Sequence, residues 1–157
     1  MLPRREALTR ALALAGLAGL APACAAPGAE TPAGPAGPDQ EPESLDWRLV
    51  RLGDEPVATG PGQREASLHL DARTGRASGS GGCNRFTGAF RRQGGRLTLG
   101  PLAATRMACL DPAAGRTETR FLAALEATAA YRVAGRRLTL LDAAGAPLAV
   151  LEEATKR

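Results

Sequence analysis

The sequence predicts an antiparallel β-sheet, curled into a small barrel or a half-barrel, with one α-helix inserted between its strands. Three observations support this fold class. Seven or eight short segments between residues 45 and 151 have the composition of strands, and turns containing glycine separate most of them. One segment instead has an apolar stripe at helical spacing. With 19 Gly and 12 Pro in 157 residues, the chain is too rich in turn formers for a plain helical bundle.

The strands of the first half are predicted from alternation and from the turns between them. Residues 66–71 alternate strictly between apolar and polar side chains, as a half-buried strand does. In residues 84–91, the side chains of Phe86 and Phe90 share one face with Gly88. The other predicted strands of this half are residues 47–52, 76–80, 96–99 and, after Gly100-Pro101, residues 102–107.

The second half begins with the predicted helix. Asp111 is a good N-cap, and Pro112 suits the first helical position. Residues 116–130 follow with an apolar stripe that includes Phe121 and Leu125. Strands are then predicted at residues 131–133, 137–141 and 147–151. The predicted core contains the large apolar residues Trp47, Phe86, Phe90, Leu97, Phe121, Leu125 and Leu138.

Residues 1–24 have the pattern of an export signal, in which arginines precede a short apolar stretch that is followed by small residues. The stretch is too short for a membrane span. Two interpretations of its end remain open: Cys24 is acylated as a lipoprotein cysteine, or the signal is cleaved at an A-x-A site. The pair Arg4-Arg5 also permits the twin-arginine route. We expect an exported, periplasmic protein that is anchored to the membrane by a lipid on Cys24.

Residues 25–43 are predicted to form a disordered spacer. They contain five Pro, three Gly, four acidic residues and no hydrophobic residue larger than Ala. Such a segment cannot bury enough apolar surface to offset the entropy of the chain. The spacer would separate the membrane anchor from a folded domain over residues 44–157, which carries 17 basic and 11 acidic residues.

Cys83 and Cys109 are the sharpest candidates for a site. An exported protein meets an oxidising compartment, and three cysteines become two once Cys24 is acylated or removed with the signal. We expect a disulfide between Cys83 and Cys109, which would close a loop of about 27 residues. Two buried free thiols are the alternative, and a catalytic thiol is the least favoured interpretation.

The sequence contains little acid–base machinery. Its single histidine, His69, alternates with apolar residues on a strand that also carries Ser67 and Asp71, so all three face solvent. Residues two apart on a strand lie about 6.6 Å apart, which is too far for a catalytic relay. The glycine-rich run 79–84 is expected to be a tight bend where strands approach closely, since no helix follows to complete a phosphate loop.

Two arginine pairs, Arg91-Arg92 and Arg136-Arg137, are expected to lie on a solvated face. Nucleic-acid binding is disfavoured because the chain has only five aromatic residues and no known binding pattern. One His and three Cys leave little material for a metal site, and no cofactor is expected.

Two blocks of residues carry a family resemblance. They are Gly81-Gly82-Cys83-Asn84-Arg85-Phe86-Thr87-Gly88 and Thr105-Arg106-Met107-Ala108-Cys109. With Glu118 and Phe121 following in order, residues 45–151 resemble the META domain family, which includes HslJ-like heat-shock proteins. The resemblance implies a small α+β domain with a curled antiparallel sheet and one helix. It implies no catalytic residue, because the family has no agreed enzymatic activity or ligand.

We therefore expect a non-enzymatic, envelope-anchored or secreted module, related to stress, that acts as a monomer. It would bind a protein, peptide or lipid partner and no nucleic acid. The alternative is a carrier that holds a small ligand or acyl chain inside an apolar barrel. A large cavity lined by Leu, Val and Phe would favour the carrier. An interior filled by Phe86, Phe90, Leu97 and Leu138 would favour the binding module.

Overall fold

A computed structural model describes residues 41–43, 45–60 and 63–155 of the chain. The predicted export signal, Cys24 and the spacer up to residue 40 lie outside the described residues. Within the described part, no helix combines the length and the apolar character that crossing a membrane requires.

The described residues form nine strands and one helix, which confirms the predicted fold class of a curled antiparallel sheet with a packed helix. Most predicted strands are present with small shifts at their ends. The elements are β1 (Asp46–Leu52), β2 (Glu55–Pro56), β3 (Ser67–Asp71), β4 (Arg76–Ser80), β5 (Arg85–Gln93), β6 (Arg96–Ala104), α1 (Pro112–Glu126), β7 (Ala130–Ala134), β8 (Arg137–Leu141) and β9 (Pro147–Glu153).

The nine strands make one sheet in the order β2-β1-β3-β4-β5-β6-β7-β8-β9. Because β1 also pairs with β9, the sheet curls round and closes partly into a ring. The link between β6 and β7 is the weak point of this ring, since one residue pair, Arg96 opposite Ala130, joins the two strands. The helix α1 packs against β6, and against β1 and β9 as well.

β6 is one continuous strand where the sequence pattern predicts two strands separated at Gly100-Pro101. The strand stays paired with β5 on both sides of this step, with a register shift between Gly88 and Phe90 of β5. A bulge of this kind absorbs an extra residue without ending the strand, so the predicted break is wrong. β6 ends at Ala104, and residues 105–107, predicted as strand, belong to a loop.

The helix α1 begins as predicted but ends earlier. Asp111 is its N-cap, and Oδ1 of this residue accepts a hydrogen bond of 2.8 Å from the backbone N–H of Ala113. The helix ends at Glu126 rather than at residue 130. The reason is that the chain returns to the sheet, where the backbone N–H of Ala129 donates to the carbonyl of Leu141 at 2.9 Å.

The core lies between the curled sheet and the helix. All seven predicted core residues are buried, and the most exposed of them, Phe90, retains 8% of its accessible surface. The rings of Phe86 and Phe121 meet edge to face with centroids 6.1 Å apart, which joins the helix to the sheet. The largest completely buried side chains are Trp47, Leu49, Leu68, Leu70, Leu97, Phe121, Leu125, Leu138, Leu140 and Leu151.

The folded body includes residues that the sequence pattern assigns to the spacer. Pro42 is fully buried, and its carbonyl accepts a hydrogen bond of 2.7 Å from Nε1 of Trp47. The guanidinium of Arg92, predicted to be solvated, binds the carboxylates of Glu43 and Glu41 instead. The hydrogen bond with Glu43 raises the pKa of Arg92 above its ordinary value. The ordered domain therefore begins before the predicted boundary at residue 44.

Candidate functional site

The segment between β6 and α1 is the candidate site, and we call residues 105–110 the β6–α1 loop. It leaves the sheet after Ala104 and enters the helix at the N-cap Asp111. Met107 retains 59% of its accessible surface, and Leu110 is completely exposed. Among the residues that the structure describes, these two are the exposed large hydrophobic side chains. Their occurrence on one short loop marks it as a surface suited to interaction.

Asn84 holds the backbone of this loop in place from the start of β5. Its side chain is buried, with 4% of the residue exposed. Oδ1 of Asn84 accepts hydrogen bonds of 2.8 Å from the backbone N–H of Met107 and from the hydroxyl of Thr105. Nδ2 donates to the carbonyl of Met107 at 3.3 Å and to Oε1 of Glu118 at 2.8 Å. One amide side chain thus satisfies both backbone polar groups of Met107.

Glu118 connects this hydrogen-bond network to the helix. Its Oε2 accepts a hydrogen bond from the backbone N–H of Asn84, and its Oε1 accepts one from the Asn84 side chain. Gly81 permits this arrangement, because a Cβ at this position would lie 2.5 Å from Cγ of Glu118. The glycine-rich run 79–84 is therefore a bend that allows a close approach, as predicted, and the element approaching Gly81 is the helix α1.

Cys83 and Cys109 connect the loop to the bend between β4 and β5. Their sulfur atoms lie at disulfide-bonding distance, and their Cα atoms are 5.7 Å apart, which is within the usual range for a disulfide. The two sulfurs and a carboxylate oxygen of Glu118 lie within 4.8 Å of one another. This set would bind a metal ion only with both thiols reduced, and its carboxylate is already hydrogen-bonded to Asn84.

The polar residues of β3 face away from the core, as predicted. Ser67, His69 and Asp71 alternate with buried leucines along the strand. Nδ1 of His69 lies 3.0 Å from Oδ1 of Asp46 on β1. Asp71 is the last residue of β3, and a hydrogen bond from the side chain of Thr74 in the following turn lowers the pKa of Asp71. These contacts are typical of polar side chains on the surface of a sheet.

The second arginine pair lies on the exposed side of β8 and the turn before it. Nε of Arg136 lies 3.1 Å from a carboxylate oxygen of Glu153, and a guanidinium nitrogen of Arg137 lies 3.3 Å from one of Glu152. Both arginines are exposed, which agrees with the predicted solvated face.

Reasoning from the sequence identified Cys109 of the β6–α1 loop but missed Met107 and Leu110 as its exposed apolar residues. The pattern of residues 102–107 predicts a strand, which places Met107 in the sheet and assigns no role to Leu110. Asn84 belongs to one of the two blocks that resemble the family, but the sequence pattern assigns it no function. The available signal was Arg106. In a strand it would share one face with Leu102 and Ala104, and a charged side chain does not continue that apolar face.

Comparisons with known proteins agree with this fold. A family model described as META domain matches residues 42–155. An NMR structure of a protein from Burkholderia xenovorans has a TM-score of 0.64 and 30% sequence identity, covering 83% of this chain and 97% of its own. Another NMR structure has a TM-score of 0.55 and 25% identity, covering 69% of this chain and 88% of its own. Among curated proteins, none matches. Because the family model spans most of the chain, this protein belongs to the META domain family.

Proposed function

We propose that the domain is a non-enzymatic binding module of the cell envelope, which engages a protein, peptide or lipid partner through the β6–α1 loop. The observation that carries this proposal is the exposure of Met107 and Leu110 on a loop whose backbone is held by Asn84. Burying one large aliphatic side chain is worth about 1.5–3 kcal/mol. A partner that covers both side chains would recover this free energy.

The support under the loop suits recognition because it holds the backbone at two points. The buried Asn84 amide binds both the N–H and the carbonyl of Met107, and Cys109 lies against Cys83. A loop that is already ordered loses little conformational entropy when it binds. Less of the free energy gained by burying the two apolar side chains would therefore be spent on ordering the loop backbone.

The polar groups of the site support the non-enzymatic part of the proposal. Asn84 and Glu118 hydrogen-bond to each other and to the loop backbone, so their polar atoms are engaged in holding the structure. A general acid or base must be within hydrogen-bond reach of a substrate. His69 lies on β3, paired with Asp46 rather than with a nucleophile.

The alternative function, a carrier of an acyl chain or small ligand, requires space inside the curled sheet. The interior positions that would line such a space are occupied by packed side chains. Phe86, Phe90, Leu97 and Leu138 retain between 0% and 8% of their accessible surfaces. This packing favours the binding module over the carrier.

The envelope location is the part of the proposal that depends on the sequence. Residues 1–24 have the pattern of an export signal, Cys24 is the candidate for acylation, and residues 25–40 form a proline-rich connection to the domain. A tethered monomeric domain of this kind would present its binding loop near the membrane.

A comparative pull-down tests the proposal. The baits are the wild-type protein, the double variant Met107→Ser/Leu110→Ser, and Ala108→Ser as a control on the same exposed loop. Each is incubated with envelope extract, and bound proteins and lipids are identified by mass spectrometry. We expect a partner that wild type and the control retain equally and that the double variant loses. Equal recovery on all three baits would contradict a role for the loop.

A further inference from the structure

We propose that the partner of the β6–α1 loop is an anionic lipid surface, with Met107 and Leu110 inserted among the acyl chains and nearby arginines bound to the headgroups. This inference rests on the proposed function, because it names the class of partner for the same loop. It commits to a lipid bilayer rather than to a protein or a peptide.

The apolar side chains protrude from the domain instead of lining a groove. Leu110 is completely exposed and Met107 is more than half exposed, while the residues around them on the loop are small or polar. A protruding side chain needs a partner that can close around it. The boundary between lipid headgroups and acyl chains does so without a preformed pocket, at depths of about 5–10 Å.

Three exposed arginines lie around the base of the loop. Arg106 precedes Met107 in the sequence. Arg85 lies beside the first residue of the loop, because its backbone exchanges hydrogen bonds of 3.0 and 3.2 Å with Thr105. Arg116 follows the part of α1 that approaches Cys109. Three exposed cationic residues therefore flank the loop along the chain and across the sheet, and anionic headgroups attract such charge.

These cations are available to a ligand. In the described part of the chain, no carboxylate forms an ion pair with Arg85, Arg106 or Arg116. Five arginines are paired with glutamates, namely Arg48, Arg92, Arg120, Arg136 and Arg137. Two carboxylates lie near these arginines in sequence. Asp111 is engaged by the helix N-terminus and by the side chain of Gln63, and Glu118 accepts hydrogen bonds from Asn84.

A tryptophan placed in the loop would report directly on insertion. Trp47 is the single tryptophan of the chain and is fully buried, so it provides a constant background. The full chain would carry Cys24→Ser to prevent acylation, together with either Leu110→Trp or Gln93→Trp. Gln93 is the matched control because it lies at the far end of the nine-residue strand β5. The first residue of that strand, Arg85, lies beside the loop. The probe is a vesicle of phosphatidylcholine and phosphatidylglycerol with brominated acyl chains, which quench tryptophan on contact.

We expect quenching and a blue shift of the emission for tryptophan at position 110 and neither change at position 93. Adding Arg85→Gln and Arg106→Gln should weaken the apparent vesicle affinity by about tenfold or more, because each arginine near an anionic surface contributes a factor of about five. Absence of quenching at position 110, equal quenching at both positions, or an affinity unchanged by the arginine substitutions would overturn the proposal.

The same variants separate failure of this inference from failure of the proposed function. The Leu110→Trp variant could remain unquenched while Met107→Ser/Leu110→Ser still loses a protein from the envelope pull-down. In that case the partner is a protein, the lipid inference is wrong and the binding function stands. If Leu110→Trp is not quenched by the vesicles and Met107→Ser/Leu110→Ser recovers the same proteins and lipids as wild type, both are wrong.

Discussion

Replacing Asn84 by alanine should destabilise the domain and release the β6–α1 loop. Apart from a weak hydrogen bond of 3.6 Å from its Nδ2 to Sγ of Cys83, the side chain makes four hydrogen bonds, two to the backbone of Met107 and one each to Thr105 and Glu118. A hydrogen bond contributes about 0.5–1.5 kcal/mol net, and a buried charged acceptor that loses its partner costs more. Because water can reach Thr105 and Met107 once the loop loosens, we expect a loss of about 3 kcal/mol in the free energy of unfolding.

Chemical denaturation followed by the fluorescence of Trp47 measures this loss, since the single tryptophan is fully buried in the native state. Thr105→Ala is the matched control at an exposed residue. It removes one of the bonds to Asn84 and the 3.2 Å bond from the backbone N–H of Arg85, which water can replace, and it should cost about 1 kcal/mol. If Asn84→Ala costs no more than Thr105→Ala, Asn84 does not hold the loop as the structure indicates.

Asn84→Asp tests the same hydrogen bonds by introducing a negative charge with almost no change in the size of the side chain. The new carboxylate would face Oε1 of Glu118, which accepts a hydrogen bond of 2.8 Å from the native amide. Two carboxylates at such a distance do not ionise independently, so the folded variant binds a proton more readily than the unfolded chain does. The destabilisation relative to wild type should therefore be complete at neutral pH and shrink as the pH falls toward about 4. A loss that does not change with pH would refute this reading of the contact.

Three further predictions concern other parts of the molecule. Phe121→Ala should cost about 3–5 kcal/mol, because it removes a fully buried ring packed on Phe86; an unchanged unfolding midpoint would show that the helix does not dock through this side chain. Cys83→Ala and Cys109→Ala should each cost up to about 3.5 kcal/mol from loop closure, and the double variant little more, since one bond is broken in all three. Additive losses, or two titratable thiols in protein isolated without reductant, would exclude that bond. Cys24→Ser should prevent labelling with palmitate and release the protein from the membrane fraction; unchanged fractionation, with no label in the parent, would exclude the lipid anchor.

The fold could be predicted largely from the sequence because its signals are local. Strict alternation identifies β3, and Asp111 with Pro112 identifies the start of α1. The misplaced break at Gly100-Pro101 shows the limit of such signals. A glycine-proline step ends a strand or forms a bulge according to whether a neighbouring strand holds both halves, and here β5 holds them.

By itself, the sequence determined the curled antiparallel sheet, the single helix and the identity of the buried aromatic residues. These features follow from periodic burial and from turn and cap residues that act over a few positions. Only the tertiary structure decided the candidate site. Asn84 is separated by 23 residues from Met107 and by 34 from Glu118, and contacts between such distant positions leave no periodic trace in the chain. The same contacts hold Met107 outward, whereas its hydrophobicity alone would assign it to the core.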